Sequence, residues 1–63
     1  MILYDAIENL QSNLNIKVKI NQNIVFDGTV GELSTITVLL NKEVLYKPYF
    51  EINDNSYIVE IKK

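Results

Sequence analysis

The chain switches between two hydrophobic periods. Residues 2–11, ILYDAIENLQ, place Leu3, Ala6, Ile7 and Leu10 at i, i+3, i+4 and i+7, with Asp5, Glu8 and Asn9 opposite. That spacing predicts an amphipathic helix over 2–12. Asp5 and Glu8 lie towards its start, where carboxylates complement the helix dipole, and Asn13 or Asn15 can end it. From residue 15 the period falls to two. In NIKVKI, Ile16, Val18 and Ile20 point one way and Lys17 and Lys19 the other, the signature of a half-buried strand. Asn21-Gln22-Asn23 reads as a turn. A second strand over 24–29 then puts Ile24 and Phe26 on one face, completing a hairpin over 15–29.

Alternation returns at residue 44. VLYKPYFEI aligns Val44, Tyr46, Phe50 and Ile52, with Pro48 in the same register. Proline has no N–H for a ladder, so this strand belongs at an edge or is bulged at Pro48. Asn53-Asp54-Asn55-Ser56 is a turn, and YIVEI closes a second hairpin over 43–62 with Tyr57, Val59 and Ile61 on one face. Between the hairpins, STITVLL is rich in β-branched residues, yet Leu33, Ile36 and Leu40 fit helical spacing. A short helical crossover within 30–42 is the favoured reading, with a strand over 34–40 left open. The predicted class is α+β, in a single small domain over 1–63. One N-terminal helix packs on a four-stranded, mainly antiparallel sheet made of two hairpins joined by that crossover. The predicted core is Leu3, Ile7, Leu10, Ile16, Val18, Ile20, Ile24, Phe26, Leu33, Leu40, Val44, Phe50, Val59 and Ile61.

The only two glycines, Gly28 and Gly31, form G-x-x-G inside VFDGTVGEL. That spacing also occurs in loops that clamp a nucleic-acid backbone. Here Asp27 and Glu32 flank the loop and no basic residue follows until Lys42, so the flanking charge opposes phosphate. The structural reading is simpler. Gly28 ends a strand in a conformation costly for other residues. Thr29-x-x-Glu32 is a capping box. Gly31 relieves crowding where the turn crosses a strand.

Composition narrows the chemistry further. A 63-residue chain buries only about 60% of its unfolded surface, so its core is marginal. With no Cys and no His, it has no disulfide, no thiolate and no imidazole base. Ser12, Ser34 and Ser56 lack an activating partner, and the carboxylates lack calcium-loop spacing. No catalytic residue, metal site or cofactor is expected, and the chain reads as a non-enzyme. The six positive charges are all Lys and the net charge is −2, which disfavours nucleic acid as a partner. Apolar runs are a few residues long and no basic leader precedes one, so neither a membrane span nor a signal peptide is expected and a cytoplasmic location is the default. Abundant Ile, Asn and Lys with no Arg suggest AT-rich coding DNA.

Several short motifs recur in this order elsewhere. A leucine-bearing first helix (Leu3, Leu10) leads to a hairpin ending in Gly28-Thr29-Val30-Gly31-Glu32-Leu33. Leu40-Asn41-Lys42-Glu43-Val44 and the alternating strand Tyr57–Ile61 follow. This arrangement resembles a loose group of very small proteins encoded by phages and prophages of low-GC bacteria. Pro48 departs from the group's pattern. The resemblance implies a small α+β fold and assigns no activity and no site residue.

One helix covers one face of a sheet, so the other face should be polar. Beside Lys17, Lys19, Asp27, Glu51 and Glu60, the alternation puts Val25, Leu45, Tyr49 and Ile58 there. These four are the candidate interface. The leading reading is a phage- or prophage-encoded accessory protein that acts by protein–protein interaction, inhibiting or redirecting a host protein. Self-association, with a dimer favoured by the prevalence of two-fold symmetry, is expected. One alternative is an oligomeric small-ligand binder that sequesters a nucleotide signal, with Lys17, Lys19, Lys47 and Tyr49 as anion and base contacts. The other is a structural oligomer.

Overall fold

The computed structural model describes residues 1–63. Helix α1 (Leu3–Ile7) precedes strands β1 (Asn15–Ile20) and β2 (Asn23–Thr29). Two single-turn helices, α2 (Val30–Leu33) and α3 (Thr37–Leu40), carry the chain to strands β3 (Tyr49–Glu51) and β4 (Ser56–Glu60). The sheet order is β2-β1-β4-β3. Each hairpin is antiparallel, and the two join through a parallel β1–β4 pair at the centre. This is the expected α+β arrangement, and the segment 34–40 that the sequence left open is helical at Thr37–Leu40.

The first hairpin turns at Asn21 and Gln22, whose φ angles are both positive at 51° and 67°. A two-residue turn of this kind matches the twist of the strands it joins. Asn accepts such backbone readily; Gln22 is held there by donating its N–H to Glu60 Oε2 at 3.0 Å. Beyond the turn, β2 is bulged. Val18 faces Phe26 but Lys19 faces Ile24, so Val25 is an extra residue with no partner. The bulge corrects the predicted core. Phe26 stays on the helix side with Val18, whereas Ile24 moves to the opposite face beside Lys19 and is exposed.

The core lies between the helices and the central strands. Ile16 and Val18 from β1 and Val59 and Ile61 at the end of β4 meet Leu3 and Ile7 of α1, Val30 and Leu33 of α2 and Leu40 of α3. Leu10, Ile20, Phe26 and Val44 pack on its rim, half-buried. Phe50 does not join it. Phe50 stacks edge-on to Tyr57 at 5.4 Å and remains exposed. Val30 was missing from the predicted core because it lay in the segment read as a turn.

Local hydrogen bonds explain where the helices begin and end. α1 stops at Ile7, five residues short of the predicted end at Ser12. The residues that follow have other partners: Ser12 and Leu14 present carbonyls to the amides of Gly31 and Val30 at 2.9 and 2.8 Å. Asn9, Ser12 and Asn13 are weak helix formers and give little resistance to that turn. Both glycines are explained by space rather than by backbone conformation, since neither has a positive φ. That corrects the expectation of a costly conformation at Gly28. A Cβ on Gly28 would stand 2.8 Å from Glu32 Oε1 and 3.0 Å from the Phe26 ring; one on Gly31 would meet Ser12 O at 3.2 Å. Gly31 therefore crosses the α1–β1 connection, not a strand. The capping box forms as read, with Glu32 Oε1 accepting from Thr29 N at 2.9 Å and Thr29 Oγ1 accepting from Glu32 N at 3.1 Å.

The second hairpin is interrupted. Residues 43–45 run beside the end of β4, with Leu45 N donating to Glu60 O and Lys62 N to Glu43 O, both at 2.8 Å. Their outer side is covered by the N-terminus, through Leu3 N to Lys42 O and Val44 N to Met1 O, also 2.8 Å. Pairing then lapses through Pro48 and resumes only at Tyr49–Glu51. The predicted strand over 44–52 is thus broken at the proline, and β3 is an edge strand, as a missing N–H requires.

Two predictions follow from this packing. Leu33→Ala, at a fully buried position, should cost about 2–5 kcal/mol in urea denaturation, whereas Ile24→Ala should change stability by less than about 0.5 kcal/mol. Equal losses at both positions would contradict the bulge. Gly28→Ala should cost about 1 kcal/mol by displacing the Glu32 carboxylate from the cap. In a Glu32→Ala background most of that cost should vanish; an unchanged cost in this double-mutant cycle would assign it to Phe26 instead.

Candidate interaction surface

The face of the sheet away from the helices is built in two rows. Asp27, Lys17, Ile58 and Tyr49 stand opposite one another across the strands, and Ile24, Lys19 and Glu60 form the row beside them, with Leu45 flanking Glu60. The centre of this face is charged. Lys17 lies 3.9 Å from Asp54 of the β3–β4 turn and opposite Asp27, while Lys19 is paired with Glu60. Exposed apolar side chains are confined to the two edges.

The four candidate interface residues separate accordingly. Leu45 and Tyr49 are half exposed, at 52% and 48%. Val25 is exposed but sits in the bulge of the opposite edge strand. Ile58 is corrected: at 2% exposure it offers no surface, although it lies outside the main core cluster. Its neighbours on the second face are Lys17 and Tyr49 on the flanking strands. Lys17 is itself mostly buried, with its ammonium 3.9 Å from Asp54 Oδ1, as expected of a long side chain whose stem lies along apolar surface.

The candidate ligand contacts are not gathered into one site. Lys17 and Lys19 project from β1 on the charged face, each with a carboxylate opposite, and Tyr49 is two strands away. Lys47 lines an open cleft of about 260 Å³ on the other side, with Met1, Asp5 and Asn9. A second open cleft of about 240 Å³ lies between α1 and α2, bordered by Tyr4, Glu8, Ser12 and Ser34. Both are below the size range of typical small-molecule pockets, roughly 300–1,000 Å³. The amides of the G-x-x-G loop are already engaged, Val30 and Gly31 with Leu14 and Ser12, Thr29 and Glu32 with each other's side chains. No helix is long and apolar enough to cross a membrane.

What the structure does concentrate is apolar surface on one segment. Five of the ten exposed large hydrophobic residues, Leu45, Tyr46, Tyr49, Phe50 and Ile52, fall within residues 45–52. They occupy both faces of the chain there. Tyr49 is on the charged face opposite Ile58, and Phe50 is on the helix side opposite Tyr57. A strand apolar on both faces is usual inside a sheet, yet this one is at the edge. Tyr46 and Tyr49 support each other, with ring centroids 5.8 Å apart and planes tilted by 42°. Ile52, at the start of the turn, is the most exposed large hydrophobic side chain, at 80%. The alternation pattern pointed to two of these residues, Leu45 and Tyr49. It assigned Phe50 to the core, and the concentration on one edge required the strand order.

Comparison with protein-family models, with curated proteins and with solved structures gave no match.

The packing of Tyr46 gives a titration to check. Partial burial, then Tyr49 and Glu60 nearby, push its phenol above the usual value near 10. An acid whose folded pKa is raised stabilises the fold below the unfolded pKa and loses that contribution as pH rises through the folded one. Ring resonances of Tyr46 followed by NMR should therefore titrate with a midpoint above 10, and stability should fall less steeply above pH 10 in Tyr46→Phe. A midpoint at or below 10 would mean that the Tyr46 phenol is neither desolvated nor close to Tyr49 and Glu60.

Proposed function

We propose that this chain is a non-enzymatic binding protein, of phage or prophage origin, that acts by protein–protein association through the segment 45–52. The observation that carries this reading is the exposed apolar cluster of Leu45, Tyr46, Tyr49, Phe50 and Ile52 on an unpaired edge strand. Tyr and Phe supply large contact area at low conformational cost, which suits a binding surface. A bare strand edge adds main-chain donors and acceptors that an extended partner segment can complete. The AT-rich coding bias and the resemblance to small prophage proteins favour a host protein as the target. The alternative of a sequestered nucleotide draws less support, because its three lysines are dispersed and two of them already face carboxylates.

Cross-linking mass spectrometry in a low-GC bacterial lysate tests this proposal. Wild-type protein should link one defined protein through Lys47, beside the apolar cluster. A Tyr49→Ser/Phe50→Ser variant, with an unchanged circular dichroism spectrum, should lose that link. Retention of the captured protein by the variant would refute the assigned surface. Stabilisation of the wild type by a nucleotide in a thermal-shift screen, with no protein captured, would favour sequestration instead.

A further inference from the structure

The cleft between α1 and α2 lies in a part of the fold that carries no lysine. The positive side chains are Lys17, Lys19, Lys42, Lys47, Lys62 and Lys63, so none falls in α1, α2 or α3 and none lines this cleft. We infer that the cleft receives the guanidinium side chain of an arginine presented by a partner protein. The inference rests on the proposed role in protein–protein association, and adds a contact that takes no residue from segment 45–52.

Three features of the cleft carry it. The first is the chemistry of its walls. Tyr4 and Glu8 are four residues apart, with Glu8 still in helical backbone at the C-cap of α1, and both line the cleft. The Tyr4 ring is half exposed. A guanidinium satisfies a ring and a carboxylate together, stacking on the one and donating to the other. The floor is apolar: Ile7 and Val30 are buried and Leu10 packs on them, half-buried. The aliphatic stem of an arginine lies on such a floor while its head reaches the rim.

The second feature is charge. Glu8 takes part in neither of the chain's ion pairs, Lys17–Asp54 and Lys62–Glu43. The Met1 amine acts on Glu43 and lines the other cleft, not this one. A cation for Glu8 therefore comes from outside the fold. The chain has no Arg, so a second copy cannot supply a guanidinium and the donor is a different protein.

The third feature is size and rigidity. A volume of about 240 Å³ is small for a whole ligand, since such pockets run to roughly 300–1,000 Å³. It suits one long side chain used as an anchor, and Arg is enriched among the residues that anchor interfaces. The walls are set before anything binds. Gly31 N donates to Ser12 O at 2.9 Å, and Ser34 Oγ donates to Gly31 O at 2.6 Å. A preformed site loses less freedom on binding.

The test is an NMR titration of the isotope-labelled protein with the capped tripeptide acetyl-Gly-Arg-Gly-amide. Saturable shifts should centre on the amides of Glu8, Ser12 and Gly31, with a Kd in about the millimolar range, as befits one anchored side chain. The citrulline tripeptide keeps the shape without the charge and should bind about fivefold or more weaker. The lysine tripeptide has no plane to stack and should bind about twofold or more weaker. Glu8→Gln and Tyr4→Leu should each weaken the arginine peptide about two- to fivefold. Melting temperatures report folding separately; if Tyr4→Leu unfolds, Glu8→Gln carries the test. Tyr49→Ser/Phe50→Ser should bind the peptide as the wild type does. No saturable shift up to about 20 mM peptide overturns the inference. So do equal affinities for the arginine and citrulline or lysine peptides, insensitivity to Glu8→Gln, or shifts centred on β3. Peptide binding by a protein that captures nothing from the lysate sustains the cleft and sinks the role of segment 45–52. Capture that persists without peptide binding does the reverse.

Discussion

The parallel pairing of β1 with β4 is the constraint on which the rest of this molecule depends. Parallel neighbours cannot be joined by a tight turn; the chain must leave the sheet, cross it and return. In 63 residues that crossing has to contribute core of its own. Val30, Leu33 and Leu40 do so, and all three are buried against side chains of the central strands and α1. Ile16, Val18, Val59 and Ile61 from the paired strands supply the floor of that core. Loss of the β1–β4 register would expose both halves together. The two hairpins are therefore not independent units, and neither has enough apolar surface to persist alone.

The crossing is held by polar contacts as well as by burial. The first turn of α2 leaves amides that an isolated helix would leave unpaired. Here each has a partner: Leu14 O for Val30, Ser12 O for Gly31, Thr29 Oγ1 for Glu32. These bonds tie the crossover to the α1–β1 connection, which explains why α1 is one and a half turns long and not three. Gly31 is needed because the two backbones approach within hydrogen-bonding distance, and Gly28 because the Glu32 carboxylate and the Phe26 ring occupy the space a side chain would take. The G-x-x-G spacing thus reflects two separate steric requirements at the ends of one capping box.

Where period-two alternation was strict, the sequence was a faithful guide. Ile16 and Val18 are buried where NIKVKI put them, as are Val59 and Ile61, and the Thr29–Glu32 cap formed as its spacing implied. The reading failed wherever a local event changed the count. One extra residue at Val25 moved Ile24 from core to surface, and nothing in IVF distinguishes a bulged strand from a regular one. Ile58 was assigned to the surface because alternation reports which face a residue is on. It does not report whether long neighbours such as Lys17 and Tyr49 close over it. Phe50 faces the helix side, but on this short edge strand it has one strand neighbour, Tyr57, and stays half exposed. Pro48 was legible as an edge signal, since its missing donor acts through a local rule. Which residues share a candidate surface was the least legible feature, because it depends on strand order rather than on spacing along the chain.

The two edges of the sheet show how unevenly this fold is protected. Edge strands with bare backbone invite indiscriminate pairing, and proteins usually blunt them with bulges, prolines or charge. On β2 the bulge at Val25 does this, and the strand's apolar residues there are isolated. On β3 the protection is partial. Pro48 removes one donor and Lys47 and Glu51 add charge, but these flank aromatic residues exposed on both faces. An edge needing only protection would carry like charges or short polar residues across its length. The β3 edge is therefore the less guarded of the two, in a domain whose 63 residues leave it little buried surface to spare.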